Sequence, residues 1–250
     1  FYRRWQIAPH LSQVAAQYVL SSSAIGLVLM EKSGFERSQS WHGDLLNSSA
    51  FSGSCLGMIL FGYLGDLYGR RKSFLFTISL CAIGSVICSL TFGSHTSMYV
   101  IVLVGRFSCG FGAGGIYPLS AVLAYENDDV RLESCAWVLA AQIPGKMLPY
   151  VVTLMFYNVD YGLRFRIVFA FGVVLSFIAM ACVPKRDEIP IRGRVLDDGQ
   201  AVSRFRAQIS NSGYWMALVG SGMCWLLFDV TTSGIEWDMP TLLGTRVSGG

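Results

Sequence analysis

Gly62-Tyr-Leu-Gly-Asp-Leu-Tyr-Gly-Arg-Arg-Lys-Ser73 places one acid and three consecutive cations in a short interval between two long uncharged stretches. Upstream, no Asp, Glu, Lys or Arg occurs from Leu45 to Gly65; downstream, none occurs from Ser73 to Gly105. About 20 apolar residues cross a bilayer as a helix, so each flank is long enough to span. The downstream flank has room for two helices and a tight turn near Phe92–Thr96. Within the interval, Gly65 and Gly69 permit close approach and a tight turn. Asp66 can cap a helix or pair with a cation, and Arg70, Arg71 and Lys72 favour a cytoplasmic face.

Working outward, the same alternation recurs along the chain. Uncharged runs lie between Trp5 and Met30, Phe107 and Tyr125, Ile167 and Pro184, and Ala207 and Phe228, and a further run from Ser134 to Asp160 is interrupted only by Lys146. Seven spans follow, at about 14–30, 45–65, 74–92, 98–125, 136–157, 166–183 and 213–234, a count based on bilayer thickness. The chain is 53% hydrophobic and 14% charged, too apolar for a soluble surface. Backbone groups in lipid must be satisfied internally, which favours continuous helices. The ten-residue alternation of a membrane β-barrel is absent from the sequence. The expected fold class is therefore all-α membrane protein.

Lys and Arg counts orient the helices. With the N-terminus inside, segments 1–13, 66–73, 126–135 and 184–212 hold twelve of these cations, whereas the opposite loops hold Lys32, Arg37, Arg164 and Arg166. The N-terminus is therefore expected to be cytoplasmic. The net charge of +3 sits in short loops and does not indicate a nucleic-acid partner. The expected organisation is a six-helix bundle over 1–183, a polar cytoplasmic linker over 184–212, and a seventh helix within 213–250 that opens a second bundle. The chain starts at Phe1 and stops soon after the seventh run, and reads as truncated at both ends. The seven cysteines lie in or beside apolar runs without a CxxC or a His cluster, and read as packing residues. No metal-ligand cluster, Ser/His/Asp arrangement or phosphate-cradling loop is present in the sequence, so neither a cofactor nor enzymatic activity is expected.

The 62–73 string resembles the loop signature between spans two and three of the major facilitator superfamily. The resemblance implies a gating latch in which Gly62, Gly65, Asp66, Gly69, Arg70 and Arg71 take part, with Asp66 and Arg70 holding one state of the transport cycle. Arg106-Phe-Ser-Cys-Gly-Phe-Gly112 resembles the superfamily's span-four arginine–glycine motif, which is linked to proton coupling. An arginine inside an apolar helix either faces the bundle interior or snorkels to the interface, and both remain open for Arg106.

Gly114-Gly-Ile-Tyr-Pro-Leu-Ser-Ala-Val-Leu-Ala-Tyr-Glu126 resembles the span-four signature of the phosphate:proton symporters, and Cys224-Trp-Leu-Leu-Phe-Asp229 resembles their span-seven motif. The resemblance implies a phosphate site lined by Tyr117, Gln142, Trp225 and Asp229, with Asp229 exchanging the proton. Lys146, one turn after Gln142, can add positive field. Three positions depart from the pattern. Ile116 replaces an acid, span one has no acid near its middle, and Ser233 stands where a tyrosine is expected. The implied function is proton-coupled uptake of phosphate or a related small anion in the plasma membrane. Another cargo, such as a sugar, an organic ion or a phosphodiester, and a non-transporting half-protein remain as alternatives.

Overall fold

A computed structural model describes residues 2–34, 41–91, 95–127 and 131–183, together with eight positions between Gly213 and Leu227. Seven helices are described: α1 (Tyr2–Lys32), α2 (Trp41–Tyr68), α3 (Arg70–Ser89), α4 (His95–Asn127), α5 (Arg131–Ala140), α6 (Gln142–Met155) and α7 (Tyr161–Cys182). No strand occurs among the described residues. Six segments are long and apolar enough to cross a membrane, with α5 and α6 together supplying Glu133–Met155 as one of them. These correspond to the first six spans expected from the sequence.

The chain divides into two compact units, Phe1–Arg186 and Asp187–Gly250. In the second unit, Gly213, Trp215, Met216, Val219, Gly220, Met223, Cys224 and Leu227 are helical. Trp225 and Asp229 lie outside the described residues, as does the expected linker 184–212.

In the first unit, α4 is the shared spine. Lipid tails are as apolar as leucine, so helices in a bilayer gain little from burying apolar faces. They associate through close packing, and small residues permit it. Gly53 and Gly57 of α2, and Gly110 and Gly114 of α4, each recur at a spacing of four. A Cβ on any of them would strike backbone atoms of the opposite helix. On α3, a Cβ on Gly84 would lie 2.7 Å from the Gly105 carbonyl oxygen, and one on Gly112 of α4 would lie 2.6 Å from that of Thr77. Cys81, Cys88 and Cys109 are buried along this α3–α4 seam. The Cys81 and Cys109 sulfurs reach each other's main-chain carbonyls at 3.6 and 3.8 Å, as small packing residues do.

On the other side, α1 packs against α4, α6 and α7. The Tyr18 hydroxyl donates to the Val168 carbonyl at 2.7 Å, and Phe165 and Phe169 of α7 are buried in the same core. The connection before α7 is tied by Asp160, whose carboxylate accepts from Gly162 N–H at 3.0 Å. Arg164 donates to the Tyr157 and Val159 carbonyls and lies 4.8 Å from the Tyr161 ring centroid.

The turn between α2 and α3 is tighter than the sequence suggests. Helix α2 continues through Asp66 to Tyr68, and Gly69 alone separates it from α3. Gly69 has φ 89°, a left-handed conformation that glycine adopts without a Cβ clash. Gly69 is also the N-cap of α3. Arg70, Arg71 and Lys72 then occupy the first turn of α3, where the helix dipole disfavours cations. Their placement is therefore not explained by helix stability. Ser73 Oγ donates to the Leu64 carbonyl at 3.1 Å and ties the two helices across the turn.

Candidate functional site

The fifth span is broken where Gln142 sits. Pro144 has no N–H to give the Ala140 carbonyl, so the helix stops at Ala140, turns at Ala141 and restarts at Gln142. Proline is tolerated in the first turn of the new helix. The sequence suggests one continuous span over 136–157, whereas the structure breaks it at Ala141, just ahead of Pro144. Gly145 completes the arrangement. A Cβ there would lie 2.7 Å from the Val14 carbonyl oxygen and 2.8 Å from Gln17 Cβ, so α6 approaches α1 closely enough for Gln142 to reach Gln17.

Gln17 Nε2 donates to Gln142 Oε1 at 3.1 Å and also to the Tyr117 hydroxyl. One turn earlier on the same face of α1, Gln13 Nε2 donates to Ser120 Oγ at 2.7 Å. Ser120 Oγ in turn donates to the Tyr117 carbonyl at 3.1 Å. Pro118 lies inside α4 between these two residues. Three helices thus contribute a connected set of amides and hydroxyls. Gln13, Gln17, Ser120 and Gln142 are all buried, and Tyr117 is half-buried.

Two buried polar atoms in this set lack a hydrogen-bond partner among the described residues: Gln13 Oε1 and Gln142 Nε2. Gln13 is 0% exposed and Gln142 is 8% exposed, so neither amide is satisfied by lying open to solvent. Leaving such a group unmatched costs about 1–3 kcal/mol, so each of these atoms calls for a partner.

Tyr117 and Gln142, expected together from the sequence, are brought together through Gln17. Lys146 lies one turn after Gln142 on α6 and is half-buried. Gln13 and Gln17 were not expected as site residues. The available signal was a pair of amides four residues apart in an apolar span, which share one helix face.

Arg106 is 2% exposed and faces the bundle interior, which excludes the snorkelling alternative. Its guanidinium donates to the Val19 carbonyl at 2.5 Å and the Leu20 carbonyl at 2.9 Å. Arg106 is therefore held by the backbone of α1. The departure noted in span one is consistent with this pairing, since a carbonyl here receives the cation. Ile116, where an acid is expected from the resemblance, is buried at 1% exposure.

The expected gating residues divide in three. Gly65 makes a close approach, since a Cβ there would lie 2.6 Å from Leu119 Cδ2, and Gly69 makes the turn. Gly62 faces open space, with nothing within 4 Å of a built Cβ. Arg70 and Arg71 open α3, whereas the side chain of Asp66 lies outside the described residues, so the latch contact itself is not described.

The family described as "Sugar (and other) transporter" matches residues 13–191. The inorganic phosphate transporter PT2 of Toxoplasma gondii is 33% identical over 251 aligned residues, covering 94% of this chain and 43% of the relative. A low affinity inorganic phosphate transporter 1 of Petunia hybrida is 39% identical over 121 residues, covering 45% of this chain and 22% of the relative. The chain thus spans less than half the length of these relatives. The inward open xylose transporter XylE from E. coli superposes with a TM-score of 0.73 at 18% identity, over 100% of this chain and 66% of that one. The last comparison bears on the fold alone.

Proposed function

We propose that this chain, which belongs to the sugar (and other) transporter family of the major facilitator type, serves in proton-coupled movement of inorganic phosphate, or a related small oxyanion, across a membrane by alternating access. One observation carries the reading: the Gln17 amide joins Tyr117 of α4 to Gln142 of α6 inside the first bundle. These are the residues that the phosphate-symporter resemblance nominates. The phosphate transporters among the similar proteins support the same choice.

In this reading residues 1–183 form one wall of a site near the middle of the membrane. Residues 213–250 carry the seventh span, after the 184–212 linker. Tyr117, Gln142 and Trp225 contact the solute. Lys146 adds positive field, and Asp229 takes and releases the proton, since an acid within an apolar helix is a functional-site hypothesis by default. Arg106 fixes α1 against α4 through the Val19 and Leu20 carbonyls, so the titrating step is assigned to Asp229. Asp66, Arg70 and Arg71 act at the cytoplasmic face as the latch, with the N-terminus inside and the plasma membrane as the site of action.

A second reading has its own support. The described cluster of Gln13, Gln17, Tyr117, Ser120 and Gln142 carries no formal charge, which suits a sugar as well as an oxyanion. Uptake of radiolabelled phosphate by cells expressing the complete reading frame separates the two. The phosphate reading predicts uptake that is stopped by excess unlabelled phosphate, unaffected by excess hexose or pentose, and abolished in Asp229→Asn. Uptake blocked by sugars and indifferent to phosphate would establish the second reading instead.

A further inference from the structure

Cysteines that stand apart in the sequence, with no CxxC among them, meet where α3 crosses α4. Contacts run from Cys81 to Cys109, Gly84 to Gly105 and Cys88 to Val102, so the two helices are antiparallel. Helical side chains lean toward their own N-terminus, which turns Cys88 back toward Gly84 and Cys109 back toward Gly105. Neither glycine has a Cβ to fill the space between. One built on Gly84 would lie 2.6 Å from Cys109 Sγ, and one built on Gly105 would lie 2.6 Å from Cys88 Sγ. The two sulfurs converge there as hydrogen-bond partners, both at 1% exposure or less. Ser85 Oγ lies 3.8 Å from Cys109 Sγ, and Cys81 is turned to the Cys109 carbonyl at 3.6 Å.

A positive charge stands beside this pair. Val102, Arg106 and Cys109 recur at i, i+4 and i+7 on α4 and so share one face. The Arg106 charge acts on both the Cys88 and the Cys109 sulfur. Its terminal nitrogens donate to the Val19 and Leu20 carbonyls, which bring it no counter-charge. Its Nε is buried and has no hydrogen-bond partner among the described residues. Two thiols thus face one another beside a cation with a donor to spare.

We infer that Cys88 and Cys109 form a two-coordinate site for a soft monovalent cation of the copper(I) class, with Arg106 as the counter-charge of the complex. Binding breaks two S–H bonds, forms two metal–sulfur bonds and releases two protons, and no electron is transferred. The product carries one negative charge, which Arg106 balances, and its Nε–H can donate to a bound thiolate. Soft thiolate ligands suit copper(I). Zinc takes four ligands in a structural site and three in a catalytic one, and this pair offers two. A direct disulfide fits the seam less well. A Cβ on Gly84 would lie 2.7 Å from Cys109 N, and Cys88 is one turn further along α3, about 5.4 Å. That offset, added to the gap between the helices, strains the limit of about 7 Å on Cα separation, whereas a bridging metal lengthens the reach. The site does not depend on which solute the protein carries.

The test uses the complete protein, purified without oxygen, with every cysteine other than Cys88 and Cys109 replaced by serine. Copper(I) is titrated into it against a chromogenic copper(I) chelator. One copper should be retained per chain, and excess zinc should not displace it. Cys88→Ser and Cys109→Ser, each checked for folding by gel filtration without copper, should weaken retention by at least about tenfold, or 1.4 kcal/mol. Arg106→Gln should weaken it as well, and Arg106→Lys, which keeps the charge, should weaken it less. Equal retention in either folded serine variant would overturn the inference. So would a parent protein that retains no copper or yields it to zinc, whether or not the variants fold. Full retention in Arg106→Gln would overturn the role given to Arg106.

Discussion

Helix α4 presents two unlike seams. Toward α2 and α3 it offers glycine against bare backbone at Gly110, Gly112 and Gly114, and no side chain fits between. Toward α1 and α6 it offers Arg106, Tyr117 and Ser120, each of which engages a carbonyl or an amide on a neighbouring helix or within its own turn. The first seam is tight at these glycines. The second is polar, and three of its buried atoms, Gln13 Oε1, Gln142 Nε2 and Arg106 Nε, are left unmatched among the described residues. One helix therefore carries a tight packing seam on one side and the polar cluster of the proposed site on the other, and substitutions on its two sides should fail in different ways.

The largest effect is expected on the tight seam. A leucine at Gly110 has to displace the α2 backbone at Ala50, which cannot yield as a flexible side chain would. Overpacking commonly costs about 1–3 kcal/mol even where neighbours can shift, and this contact exceeds that case. Gly110→Leu should leave little or no monodisperse protein in fluorescence-detected gel filtration. A wild-type peak would show that the two helices are not in backbone contact.

An intermediate effect is expected at Arg106. Arg106→Lys keeps the charge but loses the planar fork that serves adjacent carbonyls at Val19 and Leu20. A drop in detergent stability of about 1–3 kcal/mol is expected, read as a lowered thermal midpoint with the protein still folded. An unchanged midpoint would mean that α1 is not held there. The smallest effect is expected at Gly62, which faces open space. Gly62→Ala should alter stability by no more than about 0.5 kcal/mol, whereas the same change at Gly69 meets a left-handed backbone and should cost about 1–2 kcal/mol. Equal effects at the two glycines would contradict the one-residue turn.

The first six spans were legible because bilayer thickness and charge exclusion act on every residue of a span at once. The glycine of the α2–α3 turn was legible for a similar local reason, since a left-handed residue between two helices leaves a mark at one position. Tyr117 and Gln142 were nominated by resemblance, but the residue that joins them was not legible. Gln17 lies 100 residues from Tyr117 and 125 from Gln142, and a neutral amide carries no weight in a reading based on charge. The break at Ala141 was missed because Lys146 drew attention to charge, while Pro144 acts through a hydrogen bond it cannot make. Trp225, Asp229 and the Asp66 side chain fall outside the described residues, so their roles rest on the proposal.

The claim that the amide cluster receives the solute is tested most directly by ligand-induced stabilisation of the purified protein at Gln142. A ligand at about 100 times its dissociation constant stabilises the folded state by about 2.7 kcal/mol. Saturating phosphate should raise the thermal midpoint of wild type, while Gln142→Leu, folded in the absence of ligand, should show little or no rise. A full rise in the folded Gln142→Leu variant would place the solute elsewhere in the molecule.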